Sequence, residues 1–162
     1  MQSIKGYVLI ARSIGEGLDV LFGESKIPKQ GYQSLGTNGL TPYKTRETLE
    51  LGKLELMGRT KCLVELARLE LVVAEIEDEL TRLNPPYIII ENRSKRYEET
   101  TTLLLIGKQV DGKPSFYGRA LLEQNGFLGY DSLSDVKYRA SEILRQTWVS
   151  PAIAQFKLRV LT

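Results

Sequence analysis

The clearest alternation of apolar and polar positions closes the chain. Gln155-Phe156-Lys157-Leu158-Arg159-Val160 places apolar side chains on one side and polar ones on the other, the period of a half-buried strand. Tyr7-Val8-Leu9-Ile10 and Tyr87-Ile88-Ile89-Ile90 are short apolar runs that open on tyrosine, and each predicts a strand. A further strand is expected after each, at Leu18 to Phe22 and at Thr101 to Ile106. Glycine-bearing segments follow, Gly31 to Gly39 and Gly107 to Gly129. The second contains Asp111-Gly112, a turn signal between Lys108-Gln109-Val110 and Ser115-Phe116-Tyr117.

The period then changes to that of a helix. Thr45 is an N-cap for a helix from Arg46 to Met57, with Gly58 as its stop. Ser132 or Ser134 caps a second helix that runs to about Gln146. The expected inner faces are Leu49, Gly52, Lys53 and Leu56 in the first helix. In the second they are Val136, Ala140, Ile143 and Leu144. Between Arg68 and Ile76 two periods compete. Leu69, Leu71 and Val73 alternate as a strand, and Val72, Val73 and Ile76 are β-branched. Leu66, Leu69, Val73, Ile76, Leu80 and Leu83 also fit a heptad stripe, which would make one helix of residues 60–83. The strand is the preferred reading, because the same order of elements occurs twice.

That recurrence shows in the residues themselves. Asn38 to Glu75 aligns without a gap on Asn125 to Thr162, an offset of 87, with eight of 38 positions identical. Among the identities are Asn38/Asn125, Gly39/Gly126, Tyr43/Tyr130, Ala67/Ala154 and Leu71/Leu158. The expected fold is therefore α+β, built from two pseudo-repeated β-β-α-β units, residues 1–84 and 85–162. They would share a core, with antiparallel strands and two amphipathic helices on one face. Pro85-Pro86 marks the boundary. Asn38 and Asn125 should occupy matching turns, and Leu56 and Ile143 should point into a common core. In style the chain resembles small α+β proteins common in phage and mobile-element genomes, in which a short tyrosine-initiated strand, a turn, an amphipathic helix and a final strand follow in order. No diagnostic motif names a family.

Composition narrows the chemistry. The 162 residues carry 22 basic and 20 acidic side chains, a formal net charge of +2, so no global field recruits nucleic acid or an anionic membrane. The single cysteine, Cys62, excludes an intramolecular disulfide and fits a reducing, cytoplasmic setting. No apolar run reaches the length of a membrane span. Histidine is absent, which removes Ser-His-Asp and Cys-His catalysis and every Cys/His zinc scheme. Catalysis is thus not the expected task, and no cofactor or metal is expected.

The remaining candidates are binding residues. Arg93, Lys95, Arg96 and Tyr97 form the densest basic cluster, suited to phosphates and a stacked base. Lys108, Lys113 and Arg119 would extend it if two loops converge. Trp148 is a candidate interface anchor. Repeated Asn-Gly-x-x-x-Tyr reads first as a turn and a packing tyrosine. Gly15-Glu16-Gly17 lacks the context of a phosphate loop, and Glu75, Glu77, Asp78 and Glu79 read as the solvated end of an element. The leading expectation is a non-enzymatic protein-binding module, a regulator or inhibitor. The alternative is nucleic-acid or nucleotide binding through the basic loops. Oligomeric state is left open.

Overall fold

The computed structural model describes residues 1–12, 18–24, 33–34, 41–59, 63–92, 103–106, 121–123, 126–127, 129–146 and 150–161. In chain order its elements are β1 (Gln2–Arg12), β2 (Leu18–Gly23), β3 (Gln33–Ser34), α1 (Arg46–Arg59), β4 (Leu63–Val73), β5 (Tyr87–Asn92), β6 (Leu103–Ile106), β7 (Leu121–Glu123), β8 (Gly126–Phe127), α2 (Leu133–Gln146) and β9 (Ala152–Val160). Every strand pairing is antiparallel, and the sheet runs β6-β5-β9-β4-β1-β2-β7-β8, with β3 also on β2. The fold is α+β.

Residues 60–83 do not form the alternative helix. Leu63–Val73 is a strand, paired with β1 from Gln2 opposite Val73 to Arg12 opposite Leu63. The heptad stripe loses because Ala67, Leu69, Leu71 and Val73 bury one face of a two-residue period. Among the described residues of this segment only Glu77–Arg82 coils, as a short 3-10 turn. There Glu79 departs from the solvated end expected of it. Its carboxylate is buried, takes the Met1 ammonium, and accepts the backbone N–H groups of Glu75 at 3.2 Å and Ile76 at 3.3 Å. The Met1 contact, helped by those N–H donors, holds Glu79 below the usual carboxylate range.

The two long helices begin in the same way. Thr45 Oγ1 accepts the Thr48 N–H at 3.2 Å, and Ser132 Oγ accepts the Asp135 N–H at 3.4 Å. Each satisfies one orphan donor of the first turn. Just before each cap a tyrosine is tied to a strand. Tyr7 and Tyr43 exchange backbone hydrogen bonds of 3.0 and 2.8 Å, and Tyr87 and Tyr130 exchange two of 2.8 Å. α1 runs through Gly58 to Arg59 rather than stopping at Gly58.

One buried cluster gathers Ile4, Val8, Ile10, Ala67, Leu69, Leu71, Val73, Ile88, Ile90, Ala154 and Phe156. These residues share a single sheet face, since side chains alternate along each strand. Residues on the opposite face meet the helices. Leu49 and Leu56 of α1 pack with Leu9, Ala11, Tyr43 and Val64. Val136 and Ile143 of α2 pack with Tyr87, Ile89, Tyr130, Ile153, Leu80 and Leu83. Leu56 and Ile143 are both buried, but they lie in separate clusters and not in one common core. The expected inner face of α2 also needs correction. Leu144 is 62% exposed, while Arg139, a charged residue, is 5% exposed. Arg139 falls one helical turn from both Val136 and Ile143, so position outweighs polarity.

Candidate interaction surfaces

α1 is apolar on two sides. Leu49, Gly52 and Leu56 face inward, while Leu51, Leu54 and Met57 are exposed, Leu54 at 68%. At 100° per residue, Leu51, Leu54, Met57 and Gly58 form one outward ridge opposite the buried stripe. A Cβ built on Gly58 would meet nothing within 4 Å, so the ridge is open there. Charges of both signs flank it, with Lys53 and Glu55 midway along the helix. Glu47 and Glu50 lie toward the N-terminus and Arg59 ends the helix; Arg46 Nε reaches Glu50 Oε1 at 3.4 Å. Contiguous exposed apolar surface of this kind marks interaction sites on soluble proteins.

A second surface lies on the sheet. Lys5 and Tyr7 of β1, Arg68 and Glu70 of β4, and Lys157 and Arg159 of β9 all alternate with residues of the strand-only cluster, so all six occupy the opposite face. Register sets them in two rows. Lys5 is opposite Glu70, which is opposite Lys157; Tyr7 is opposite Arg68, which is opposite Arg159. Arg68 Nε lies 3.6 Å from Glu70 Oε1. Lys157 and Arg159 are exposed, as is Lys5. The strip is bordered at one end by Leu9, Val64 and Leu66 against α1, and at the other by Val72, Ile89 and Ile153 against α2. Gln155, next along β9, accepts the Asn84 N–H at 3.0 Å.

The tyrosines that lead into the helices are buried. Burial pushes the Tyr43 hydroxyl far above its ordinary value, and Glu24 and Glu55 add to the rise. Tyr130 is also raised by burial, but Arg139 beside it opposes the rise through its charge and a hydrogen bond. Both hydroxyls stay protonated at neutral pH. Among the described residues no group of three or more His, Cys, Asp or Glu side chains could hold a metal. No described helix is long and apolar enough to cross a membrane.

The binding residues expected from sequence, Arg93, Lys95, Arg96, Tyr97, Lys108, Lys113, Arg119 and Trp148, all lie outside the described residues, as do Asn38 and Asn125. Sequence reasoning missed the sheet strip. Its signal was present in the charged side of Gln155–Val160 and in Arg68 and Glu70, but strand order was needed to bring them beside Lys5. It also missed the α1 ridge, whose leucines follow the helical period on the side away from the core. Searches of protein families, curated proteins and solved structures find no match for the chain.

Proposed function

We propose that the chain is a non-catalytic protein-binding module made of two copies of one β-β-α-β unit, residues 1–84 and 85–162, joined about a pseudo-two-fold axis. Strand register supports the duplication. Moving β1 by 80 residues and β4 by 87 carries Tyr7–Arg68, Val8–Ala67, Leu9–Leu66 and Ile10–Glu65 onto Tyr87–Gln155, Ile88–Ala154, Ile89–Ile153 and Ile90–Ala152, all of them pairs of β5 with β9. The two helices differ by the same 87 residues at both ends. The axis would pass through Glu70 and Lys157, which are equivalent positions and lie opposite one another. The strands β6-β5-β9 then mirror β2-β1-β4, and both helices lie on one face of the sheet.

A reciprocal exchange supports it further. A Cβ on Gly6 would run into the Pro42 ring, so glycine before Tyr7 makes room for proline before Tyr43. In the second unit the equivalents are Pro86 before Tyr87 and Gly129 before Tyr130. The same small–large pair recurs with its members traded.

The observation that carries the binding half of the reading is the outward ridge of α1. Its equivalents in α2 are Tyr138, Ser141, Leu144 and Arg145, so the most apolar version is confined to the first unit. The partner whose chemistry fits is a second copy of this chain. Two α1 helices crossing antiparallel at Leu54 would set Leu51 against Met57, bring Gly58 to the contact where backbones approach closely, and place Glu50 near Arg59 of the other copy. Sedimentation velocity over a concentration series tests this. Wild type should show a concentration-dependent dimer, and Leu54→Glu should remain monomeric. Glu50→Arg and Arg59→Glu should each weaken the dimer, and together restore it. A monomer at every concentration, or a dimer untouched by Leu54→Glu, would refute docking through α1 while leaving the duplication standing.

A further inference from the structure

We infer that the charged strip on the sheet binds a single-stranded nucleic acid, a site separate from the α1 ridge. The strip holds four cations, Lys5, Arg68, Lys157 and Arg159, around one carboxylate, Glu70. Its local charge is strongly positive although the whole chain is only +2. Three acidic groups fewer than basic ones on one small surface is the footprint that net charge conceals.

The pairing itself points to an anion. Arg68 and Arg159 lie directly opposite across β4 and β9, and like charges in that position destabilise a sheet. Glu70 is close to Arg68 at 3.6 Å and lies in register with both lysines, so one carboxylate stands among the four cations. A phosphate chain over the strip would offset the repulsion that Glu70 cannot. The duplication supplies a contrast. The equivalents of Arg68 and Arg159 under the two-fold are Gln155 and Val72, which also pair. Cations therefore stand where the unit does not need them.

Geometry suits an extended polymer better than a small ion. Alternate residues of a strand are about 6.8 Å apart and adjacent strands about 4.8 Å apart. The four cations thus spread over a surface with the span of a few nucleotides, and not around a point. Tyr7, half-buried in the row of Arg68 and packed against the α1 cluster, sets an aromatic residue at the border of the strip. Cations contact phosphates whatever the base, so binding through them tolerates sequence.

Fluorescence anisotropy with labelled oligothymidylate and oligouridylate tests the site. Lys157→Ala combined with Arg159→Ala should weaken binding at least tenfold at moderate salt. The salt slope should fall by about 0.7 for each cation removed. Glu70→Gln should tighten binding several-fold, a gain that a merely structural strip would not produce. Leu54→Glu should leave the affinity of each copy for the oligonucleotide unchanged. Circular dichroism of each variant keeps unfolding from imitating lost binding. Equal binding of the two oligomers would assign the site to the shared sugar–phosphate chain, and a preference would identify DNA or RNA. No binding by wild type, unchanged affinity in the double variant, or equal binding of polyglutamate would overturn the proposal.

Discussion

α1 and α2 are the same length, start from the same kind of cap and follow the same tyrosine bridge, yet they differ in what they carry. At the centre of the buried stripe, α1 has Gly52 and α2 has Arg139. On the outer side, α1 has Leu51, Leu54, Met57 and Gly58 where α2 has Tyr138, Ser141, Leu144 and Arg145. The first and last buried positions stay aliphatic, Leu49 and Leu56 against Val136 and Ile143. The difference teaches that two anchor points, one cap and one bridge are enough to seat each helix. The other positions are free to take on separate surfaces.

The largest expected effect tests the anchors. Leu56→Ala and Ile143→Ala should each cost about 2–5 kcal/mol of stability, because both side chains are fully buried. Leu144→Ala, on an exposed side chain, should stay within about 0.5 kcal/mol. Urea denaturation measures all three. If Ile143→Ala cost no more than Leu144→Ala, α2 would not be seated as α1 is.

The next effect sharpens the bridge. Gly6→Ala should cost about 1–3 kcal/mol by forcing a methyl group against Pro42. In a Pro42→Gly background, which imitates the Gly129 arrangement, much of that cost should disappear. A double-mutant cycle with no coupling would mean that the Gly–Pro exchange between the units is accidental.

A smaller effect separates the two tyrosines by pH. Both hydroxyls have folded values above the ordinary one of about 10. A group raised in this way contributes fully below that ordinary value. The contribution is lost as pH rises through the folded value, because the unfolded chain sheds its proton first. Every cause of the shift at Tyr43 raises it, whereas Arg139 opposes the rise at Tyr130. Tyr43→Phe should therefore flatten the alkaline fall in stability more than Tyr130→Phe does. The reverse order, seen in melts above pH 10, would show that Arg139 does not act on Tyr130.

Local features were legible from the residues alone. Thr45, and Ser132 or Ser134, announced the two helix starts, and the tyrosine-led runs announced β1 and β5, since caps and two-residue alternation act over a few positions. Residues 68–76 were readable as a strand only through the recurring order of elements and the β-branched Val72, Val73 and Ile76, because Leu69 and Val73 satisfy both periods. Arg139 was left off the expected inner face of α2, and Leu144 put on it, because a buried cation contradicts the apolar rule that selects such a face. The sheet strip was hidden for another reason. Lys5, Glu70 and Lys157 are distant in sequence, and strand order alone sets them side by side.

The pairing of β4 with β9 tests the duplication most directly. Backbone contacts measured by NMR in the intact chain should place Glu70 directly across from Lys157, with Tyr7 facing Tyr43 and Tyr87 facing Tyr130. A two-fold axis between the strands requires such a pair, a residue facing its own equivalent. A slip of one residue, setting Glu70 against Phe156 or Leu158, would remove the axis and contradict the reading of the chain as one unit used twice.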